Sequence, residues 1–264
     1  MIEQGLRDLV ESRRPKFGTL VAEFATPGIG HIVAGAGADF LFLDMEHSGF
    51  SIETVKAVVR YTEAARLPMI VRVPGKDYHL MARAADIGAE GIMVPMVGTA
   101  EEAALAIRNI RYTPAGHRGV GLALAHDNYR EGPVLPKLAG LNTRMVFVAL
   151  IETAAGVENI DEIAALEGLD LLWLGHFDLS CSMGIPGEFD HPHFKAAVEQ
   201  IVAASKRHGK PLGRLVSDPA AGAAEIARGF DWICYSGDAW LLQAGLRAGI
   251  AEIRRRLGQD GGEA

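Results

Sequence analysis

The amino-acid sequence predicts a single (β/α)8 barrel over residues 1–264, and three observations support this fold class. The length of 264 residues is close to the roughly 250 residues that one such barrel needs. Eight short apolar strand candidates alternate with helix-like segments, which is the pattern of a parallel sheet with crossover helices. No segment rich in proline, glycine or serine divides the chain at mid-length, so a single domain is expected.

Four of the strand candidates follow the same local pattern, in which a helix ends at a glycine and a short apolar run begins after an acidic residue. Such a glycine can adopt the left-handed conformation that ends a helix, and apolar runs without alternation are typical of parallel strands covered on both faces. The repeated segments are residues 37–44, 88–95, 168–175 and 229–235. The other strand candidates are residues 18–24, 68–73, 145–151 and 211–216, and the helix-like segments include residues 51–65, 77–87, 100–110, 192–208 and 219–227.

The two ends of the chain and one alternative fold complete this interpretation. An amphipathic N-terminal helix is expected before the barrel, and the glycine-rich tail 258–264 is expected to fray. A doubly wound dinucleotide-binding sheet is the structural alternative. It needs a G-x-G-x-x-G after the first strand, and the glycines at positions 28, 30, 35 and 37 have a different spacing.

Composition and charge exclude several other classes of protein. The chain is 49% hydrophobic, has a formal net charge of −7 and contains no run of Lys and Arg longer than three residues, so neither disorder nor a nucleic-acid partner is expected. Cys181 and Cys234 lie far apart in the sequence, which argues against a disulfide framework or zinc site and favours a reducing, cytoplasmic location. The N-terminal segment lacks the pattern of a secretory signal, and no apolar stretch reaches the roughly 18 residues of a membrane span.

Polar residues follow the second and third strand candidates, where a barrel carries its chemistry. The second strand ends in Asp44, Glu46 and His47. A carboxylate can orient and stabilise an imidazole, so this segment predicts a proton-transfer site; a surface loop with chance polarity is the alternative. Arg72 ends the third strand, and a guanidinium there suits an anionic substrate or an oxyanion, unless it only forms a salt bridge to Glu46 or Asp44.

Two further carboxylates, Glu152 and Asp178, each follow an apolar run, in the fifth and sixth strand candidates. The ends of adjacent barrel strands lie within several ångströms of each other, so we expect these two groups to meet. They are interpreted either as a general acid and base or as oxygen ligands of Mg²⁺ or Mn²⁺. Two acids that cap the following helices are the structural alternative.

A lysine-dependent mechanism is disfavoured, because a Schiff base needs a lysine at a strand end. Only Lys76 falls near the predicted active face, and it lies in a loop four residues beyond Arg72. His191 and His193 lie in a polar loop before a helix, where capping is the simpler interpretation.

Five segments in chain order resemble the HpcH/HpaI aldolases, and the similarity spans residues 17–257. The segments are 43–47 (LDMEH), 94–97 (VPMV), 111–121 (RYTPAGHRGVG), 151–153 (IET) and 175–180 (GHFDLS). The resemblance implies a class II, metal-dependent pyruvate aldolase similar to 4-hydroxy-2-oxoheptanedioate aldolase, with a barrel of the phosphoenolpyruvate/pyruvate superfamily type. It also implies a homo-oligomer, a hexamer built of dimers that exchange their eighth helix.

The resemblance further implies roles for individual residues. Glu152 and Asp178 match the ligands of a divalent ion, Mg²⁺ or Mn²⁺ and possibly Co²⁺. Arg72 matches the arginine that stabilises the pyruvate enolate, His47 matches the catalytic histidine, and Asp44 matches the acid beside it. The expected substrates are therefore a 2-oxo acid and an aldehyde.

Two more sets of groups are implied in the same way. Asp86 matches an acid that reaches the catalytic histidine from a neighbouring subunit. The backbone amides from Gly175 through Phe177 to Asp178 match those that hold the substrate carboxylate.

The chain departs from the usual family pattern at four positions. His176 and Phe177 replace small residues or proline, and are expected to narrow the mouth and add a titratable group. Leu150 replaces a common Gln, and Arg214 is expected to add a second cation near the exit of the seventh strand. These departures leave the acceptor aldehyde open. The alternatives are a citrate-lyase β-like enzyme acting on an acyl-CoA thioester, which needs a phosphate site, and a non-catalytic barrel.

Overall fold

Eight parallel strands form a closed barrel in the computed structural model, which describes residues 5–12 and 14–258. Each strand pairs with the next along the chain, and β8 pairs with β1. The predicted (β/α)8 fold is therefore confirmed. The predicted tail lies outside the described residues from position 259 onward. The strands are β1 (Lys16–Val21), β2 (Phe40–Asp44), β3 (Met69–Arg72), β4 (Gly91–Val94), β5 (Val146–Ile151), β6 (Leu171–Leu174), β7 (Leu212–Val216) and β8 (Trp232–Gly237).

Helices cover the outside of the barrel and connect its strands. The predicted helices at residues 100–110 and 192–208 have the bounds of α5 and α10. The helices are α1 (Leu6–Glu11), α2 (Ile29–Gly35), α3 (Ile52–Ala64), α4 (Tyr78–Asp86), α5 (Ala100–Ile110), α6 (Val134–Arg144), α7 (Ala154–Glu158), α8 (Ile160–Ala164), α9 (His176–Ser182), α10 (Pro192–His208), α11 (Pro219–Arg228) and α12 (Asp238–Arg256). Among residues 5–12 and 14–258, none of these helices combines the length and the apolar character needed to cross a bilayer.

The glycines that were predicted to end helices have the expected backbone conformation. Residues 37, 88, 168 and 229 all have positive φ angles, between 87° and 124°. The predicted first strand, by contrast, is displaced. It starts at Lys16 and stops at Val21, because the backbone N–H groups of residues 22–24 turn to the carboxylate of Asp238 at distances of 2.7–3.3 Å.

Bulky apolar side chains fill the barrel interior and leave only its C-terminal end for chemistry. Phe40 contacts both Trp173 and Trp232, with ring centroids 6.3 and 4.8 Å apart. Leu6 of α1 is fully buried and belongs to the same apolar cluster, so α1 covers the N-terminal end of the barrel. Gly91 in β4 makes this possible, because a Cβ there would collide with the Leu6 side chain.

Candidate functional site

Asp44 and Arg72 form a doubly hydrogen-bonded ion pair at the C-terminal ends of β2 and β3. They are register partners in the parallel sheet, so both side chains leave the sheet at the same level. Arg72 donates from Nε and Nη2 to the two carboxylate oxygens, at 2.8 and 2.7 Å. Asp44 is only 1% exposed. The salt bridge that was considered as an alternative role for Arg72 is thus present.

The charge of Arg72 is held firmly in place. Burial lowers the pKa of its guanidinium, but the hydrogen bonds that Arg72 donates to Asp44 and the negative charges of Asp44 and Glu46 outweigh burial, so the pKa lies above its ordinary value. Arg72 Nη1 lies 3.1 Å from Glu46 Oε2. The guanidinium is therefore a fixed cation whose remaining N–H bonds are available to an oxyanion.

The turn after β2 places His47 at the mouth of the barrel. The Asp44 carboxylate accepts the backbone N–H groups of Glu46 at 2.9 Å and His47 at 3.3 Å. Asp44 thus orients the backbone of His47, whereas the sequence predicted that it would lie beside the imidazole. The imidazole itself is 63% exposed, and its Nε2 lies 4.0 Å from Glu46 Oε2. Its ring is free to reach a bound ligand.

Glu46 brings a buried carboxylate oxygen into the site. Its Oε2 accepts no hydrogen bond from any described residue, although Arg72 is close. Burial raises the pKa of the Glu46 carboxyl, and the neighbouring Asp44 and Asp178 charges add to the rise against the opposing Arg72 and His47. A buried acceptor without a donor usually indicates a missing water, ion or ligand.

Glu152 directly follows β5 and is the most perturbed acid of the site. It is 2% exposed, and its Oε1 accepts the backbone N–H of Met96 at 2.7 Å. Burial raises its pKa to about 7, with smaller contributions in the same direction from Glu46 and Asp178. These three carboxylates repel one another electrostatically, and a cation between them would relieve that repulsion.

Two residues position the Glu152 carboxylate from either side. Gly175, the residue after β6, leaves the space that the carboxylate occupies, because a Cβ there would collide with Oε2 and Cβ of Glu152. Met96 has a left-handed backbone, with a φ of 57°, which aims its N–H at Oε1. No role for Met96 was evident from the sequence, apart from its place in the segment 94–97.

Asp178 lies in the first turn of α9, which begins after Gly175. Its side chain is exposed at the mouth, and its charge contributes to the raised pKa values of both Glu46 and Glu152. Among the described residues, no group of three or more His, Cys, Asp or Glu side chains could hold a metal ion. The oxygen donors of Glu152 and Asp178 are of the type that hard divalent ions prefer.

The structure places Asp86 away from these residues within one chain. Asp86 ends α4, and helices of a barrel return to the N-terminal face, opposite the site. Its carboxylate pairs with Arg118 at 2.5 Å. It therefore does not meet His47 in the same subunit.

Arg214 lies in β7, two residues before the strand ends, and its side chain does not face the barrel interior. Its guanidinium points out of the barrel, where it pairs with Glu225 of α11 at 2.7 Å and lies over the Phe230 ring. The reason is alternation along β7: neighbouring Gly213 and Leu215 take the inward positions. Leu150 points inward and is 2% exposed, one residue before Ile151 at the end of β5.

His176 also differs from expectation, because it adds no charge near neutral pH. Its ring packs against Phe177 and Phe189, with centroids 4.6 and 5.2 Å away. Burial lowers the pKa of His176 to about 4, and the positive Arg214 acts in the same direction. The Phe177 ring is 60% exposed and remains at the rim.

A cavity of about 340 Å³ opens beside His47, between the exits of β1, β2 and β8. It is lined by Leu20, Ala22, Glu23, His47, Ser48, Gly49, Gly237, Asp238, Ala239 and Trp240. We call it the His47 cavity. It lies next to the ion pair at the end of β2 and is large enough for a small organic molecule.

The fold and this set of acids, arginine and histidine at strand ends define a barrel enzyme, and comparisons with known proteins give its family. Residues 20–235 match the HpcH/HpaI aldolase/citrate lyase family. The chain belongs to that family, as the sequence segments predicted.

The relatives that the chain resembles are carbon–carbon lyases. It is 36% identical over 239 residues to 4-hydroxy-2-oxovalerate aldolase of Novosphingobium aromaticivorans, covering 90% of each chain. It is 31% identical over 247 residues to 4-hydroxy-2-oxo-heptane-1,7-dioate aldolase of Klebsiella pneumoniae, covering 94% of this chain and 92% of that protein. The structure of an HpcH/HpaI aldolase from Desulfitobacterium hafniense DCB-2 matches with a TM-score of 0.88 at 30% identity, over 95% of this chain and 97% of that one. The chain is accordingly assigned to the aldolase class of enzymes.

Proposed function

We propose that this protein is a divalent-metal-dependent aldolase that cleaves or forms 4-hydroxy-2-oxo acids through a pyruvate enolate and an aldehyde. The observation that carries the proposal is the Glu152 carboxylate, which is buried, has a pKa of about 7 and lies close to Glu46 and Asp178. Such a perturbed acid in a cleft is typical of a functional site. Within the proposal, the barrel is of the phosphoenolpyruvate/pyruvate superfamily type.

Glu152 and Asp178 are proposed to hold the ion, Mg²⁺ or Mn²⁺ and possibly Co²⁺. The donor set supports this choice, because carboxylate oxygens without cysteine or histidine suit hard divalent ions. When bound, the ion polarises the C2 carbonyl of the 2-oxo acid and so acidifies the C3 hydrogens.

Arg72 is proposed to donate a hydrogen bond to the C2 oxygen as it becomes an enolate oxygen. Its Nε and Nη2 are anchored by Asp44, so no reorganisation is needed when the negative charge develops. His47 is proposed to move the proton at C3, because its exposed ring can reach a ligand in the mouth and an imidazole exchanges protons near neutral pH. The backbone N–H groups of Phe177 and Asp178 are proposed to bind the substrate carboxylate, since the first-turn N–H groups of α9 have no partner within the helix. The N–H of Gly175, which the resemblance also implied, is instead donated to the carbonyl oxygen of Ile151 at 3.1 Å.

The proposed assembly is a homo-oligomer, a hexamer in which dimers exchange α12, acting in the cytoplasm. None of the described residues of α12 is buried, and Leu242, Leu246 and Ile253 are each more than 50% exposed. An apolar helix face of this kind is a typical protein interface. In this arrangement Asp86 of one subunit approaches His47 of another.

Two measurements test the proposed function together. Isothermal titration calorimetry of chelator-treated protein, first with Mg²⁺ or Mn²⁺ and then with pyruvate, should show that pyruvate binds only after the ion. In Glu152→Gln, neither the heat of ion binding nor the heat of pyruvate binding should be observed. Incubation with a 4-hydroxy-2-oxo acid should release pyruvate in an ion-dependent manner. Cleavage of an acyl-CoA thioester without cleavage of free 4-hydroxy-2-oxo acids would contradict the proposal, as would pyruvate binding that does not depend on a divalent ion.

A further inference from the structure

The His47 cavity combines an apolar wall with acidic groups. Trp240 forms much of the wall, since its ring lies so close to Gly237 that a Cβ on that glycine would be 3.0 Å away. The Trp240 side chain is still 52% exposed. Leu20, Ala22 and Ala239 extend the same apolar surface. A short hydrocarbon chain would therefore find an apolar surface on this side of the cavity.

The polar side of the cavity carries negative charge. Asp238 lines this side and accepts backbone N–H groups from Ala22, Glu23, Phe24 and Ala239. Glu23 is exposed and its carboxylate makes no hydrogen bond or ion pair with another described residue. No Lys or Arg is among the described residues that line this cavity.

Arg72, at the end of β3, is paired with carboxylates other than those that line the cavity. Arg72 is hydrogen-bonded to Asp44 and lies 3.1 Å from Glu46. The cavity itself is lined by two carboxylates, Glu23 and Asp238, and by no cationic side chain among the described residues.

From this distribution we infer that the His47 cavity is the acceptor subsite and that it selects an uncharged aldehyde with a short apolar chain over an aldehyde that carries a second carboxylate. The inference rests on the proposed aldolase function and names the substrate class for its second reactant. An aldehyde with a second carboxylate would be repelled by the acidic residues of the cavity and would find no guanidinium or ammonium group there to pair with. Both its rate of association and its affinity should therefore be lower. Glu23 is the specificity-determining residue in this arrangement.

Two aldehydes of the same length separate charge from size: butanal, and succinic semialdehyde, in which a carboxylate replaces the terminal methyl group. The kcat/KM for addition of each to pyruvate is measured, and the ratio of the two values does not depend on the fraction of active enzyme. We expect wild type to prefer butanal by about tenfold, which is the effect of about 1.4 kcal/mol of repulsion. Glu23→Gln should reduce the preference for butanal, and Glu23→Lys should change the ratio of the two kcat/KM values by about tenfold or more in favour of the semialdehyde. High salt should also reduce the preference of the wild type for butanal, because it screens exposed charges.

Glu167→Lys is the matched control. Glu167 is exposed and precedes Gly168 before β6, at the opposite end of the barrel, so the same change in net charge should leave the ratio within about twofold. A wild-type preference for the semialdehyde, or a Glu23→Lys ratio equal to that of Glu167→Lys, would overturn the inference.

Ion-dependent exchange of the pyruvate methyl protons, measured without aldehyde, distinguishes this inference from the function on which it rests. Absence of exchange would overturn both. If methyl-proton exchange occurs but replacing Glu23 does not change the preference between the two aldehydes, only the assignment of the His47 cavity as the acceptor subsite is overturned. The same conclusion would follow if exchange occurs but neither aldehyde is added to pyruvate.

Discussion

Arg72 and Asp44 lie at the same level of adjacent strands and share two hydrogen bonds of 2.8 and 2.7 Å. The same carboxylate accepts the backbone N–H of His47 at 3.3 Å. One buried acid therefore fixes both the cation that is proposed to hold the enolate oxygen and the backbone that carries the proposed proton carrier. Asp44 therefore contributes both to the stability of the strand ends and to the positions of the groups that are proposed to act on the substrate.

The first prediction concerns the ion pair itself. Arg72→Lys should lower the rate of pyruvate methyl-proton exchange by about 100-fold, since one ammonium cannot reproduce the anchored fork. Arg72→Ala should in addition lower the free energy of unfolding by about 3 kcal/mol, because it leaves Asp44 buried without a charge partner. Denaturant unfolding and NMR-detected exchange check the two effects. A double variant in which both Arg72 and Asp44 are replaced should recover part of the free energy of unfolding that Arg72→Ala loses, but none of the exchange activity. A near-normal exchange rate in Arg72→Ala would show that Arg72 has no role in the mechanism.

The second prediction is that His47 acts in chemistry and not in folding. Because its side chain is 63% exposed, His47→Gln should change the free energy of unfolding by less than about 0.5 kcal/mol. The exchange rate should fall by about 100-fold, the usual contribution of a general acid–base group. His31→Gln, the same change at an exposed histidine of α2, is the control and should alter neither quantity. Equal exchange rates in the two variants would contradict the assigned role.

The third prediction tests how Glu152 is positioned. Gly175→Ala should displace the Glu152 carboxylate by steric overlap and weaken divalent-ion binding by about tenfold, as loss of a positioning contact at a metal ligand typically does. Gly140→Ala is the matched control, because Gly140 lies in α6 with open space around its Cα; it should leave ion binding unchanged. Calorimetric titration with Mn²⁺ measures both affinities. Unaltered affinity in Gly175→Ala would show that the close approach does not matter.

The fourth prediction concerns pH and the metal-free protein. Burial raises the pKa of Glu152 to about 7, above the ordinary value that the unfolded chain has, so between these values the folded state binds more protons than the unfolded state. The free energy of unfolding should therefore decrease as pH rises through this window, with a loss on the order of 1–3 kcal/mol complete above pH 7. Denaturant unfolding in the presence of a chelator at several pH values should show this slope in wild type and in Glu167→Gln. Glu152→Gln should flatten it, and an unchanged slope in that variant would assign the titration to another group.

The sequence predicted the barrel and the strand-end position of its chemical residues because both follow from local patterns. Glycine-terminated helices and short apolar runs fix the order of the elements, and residues at the ends of neighbouring parallel strands necessarily meet. Asp44, Arg72 and Glu152 were located in this way.

The features that the sequence did not predict depend on the direction in which a side chain leaves its strand or turn. Arg214 was expected near the exit of the seventh strand. Successive side chains of a strand point to opposite faces, so the order of residues alone did not show that Arg214 faces away from the barrel interior. The neutral state of His176 follows from packing against Phe177 and Phe189, which are separated in sequence. The left-handed turn at Met96 and the space provided by Gly175 appear only when the Glu152 carboxylate is in place.

Glu152 and Asp178 are proposed to hold an ion that allows pyruvate to lose a methyl proton. The decisive experiment follows proton–deuterium exchange at the pyruvate methyl group by NMR, with protein first stripped by a chelator and then resupplied with Mg²⁺ or Mn²⁺. Exchange should occur only after the ion is restored, and Glu152→Gln should show none under the same conditions. Exchange that persists in the stripped protein, or that never occurs with any divalent ion, would contradict it.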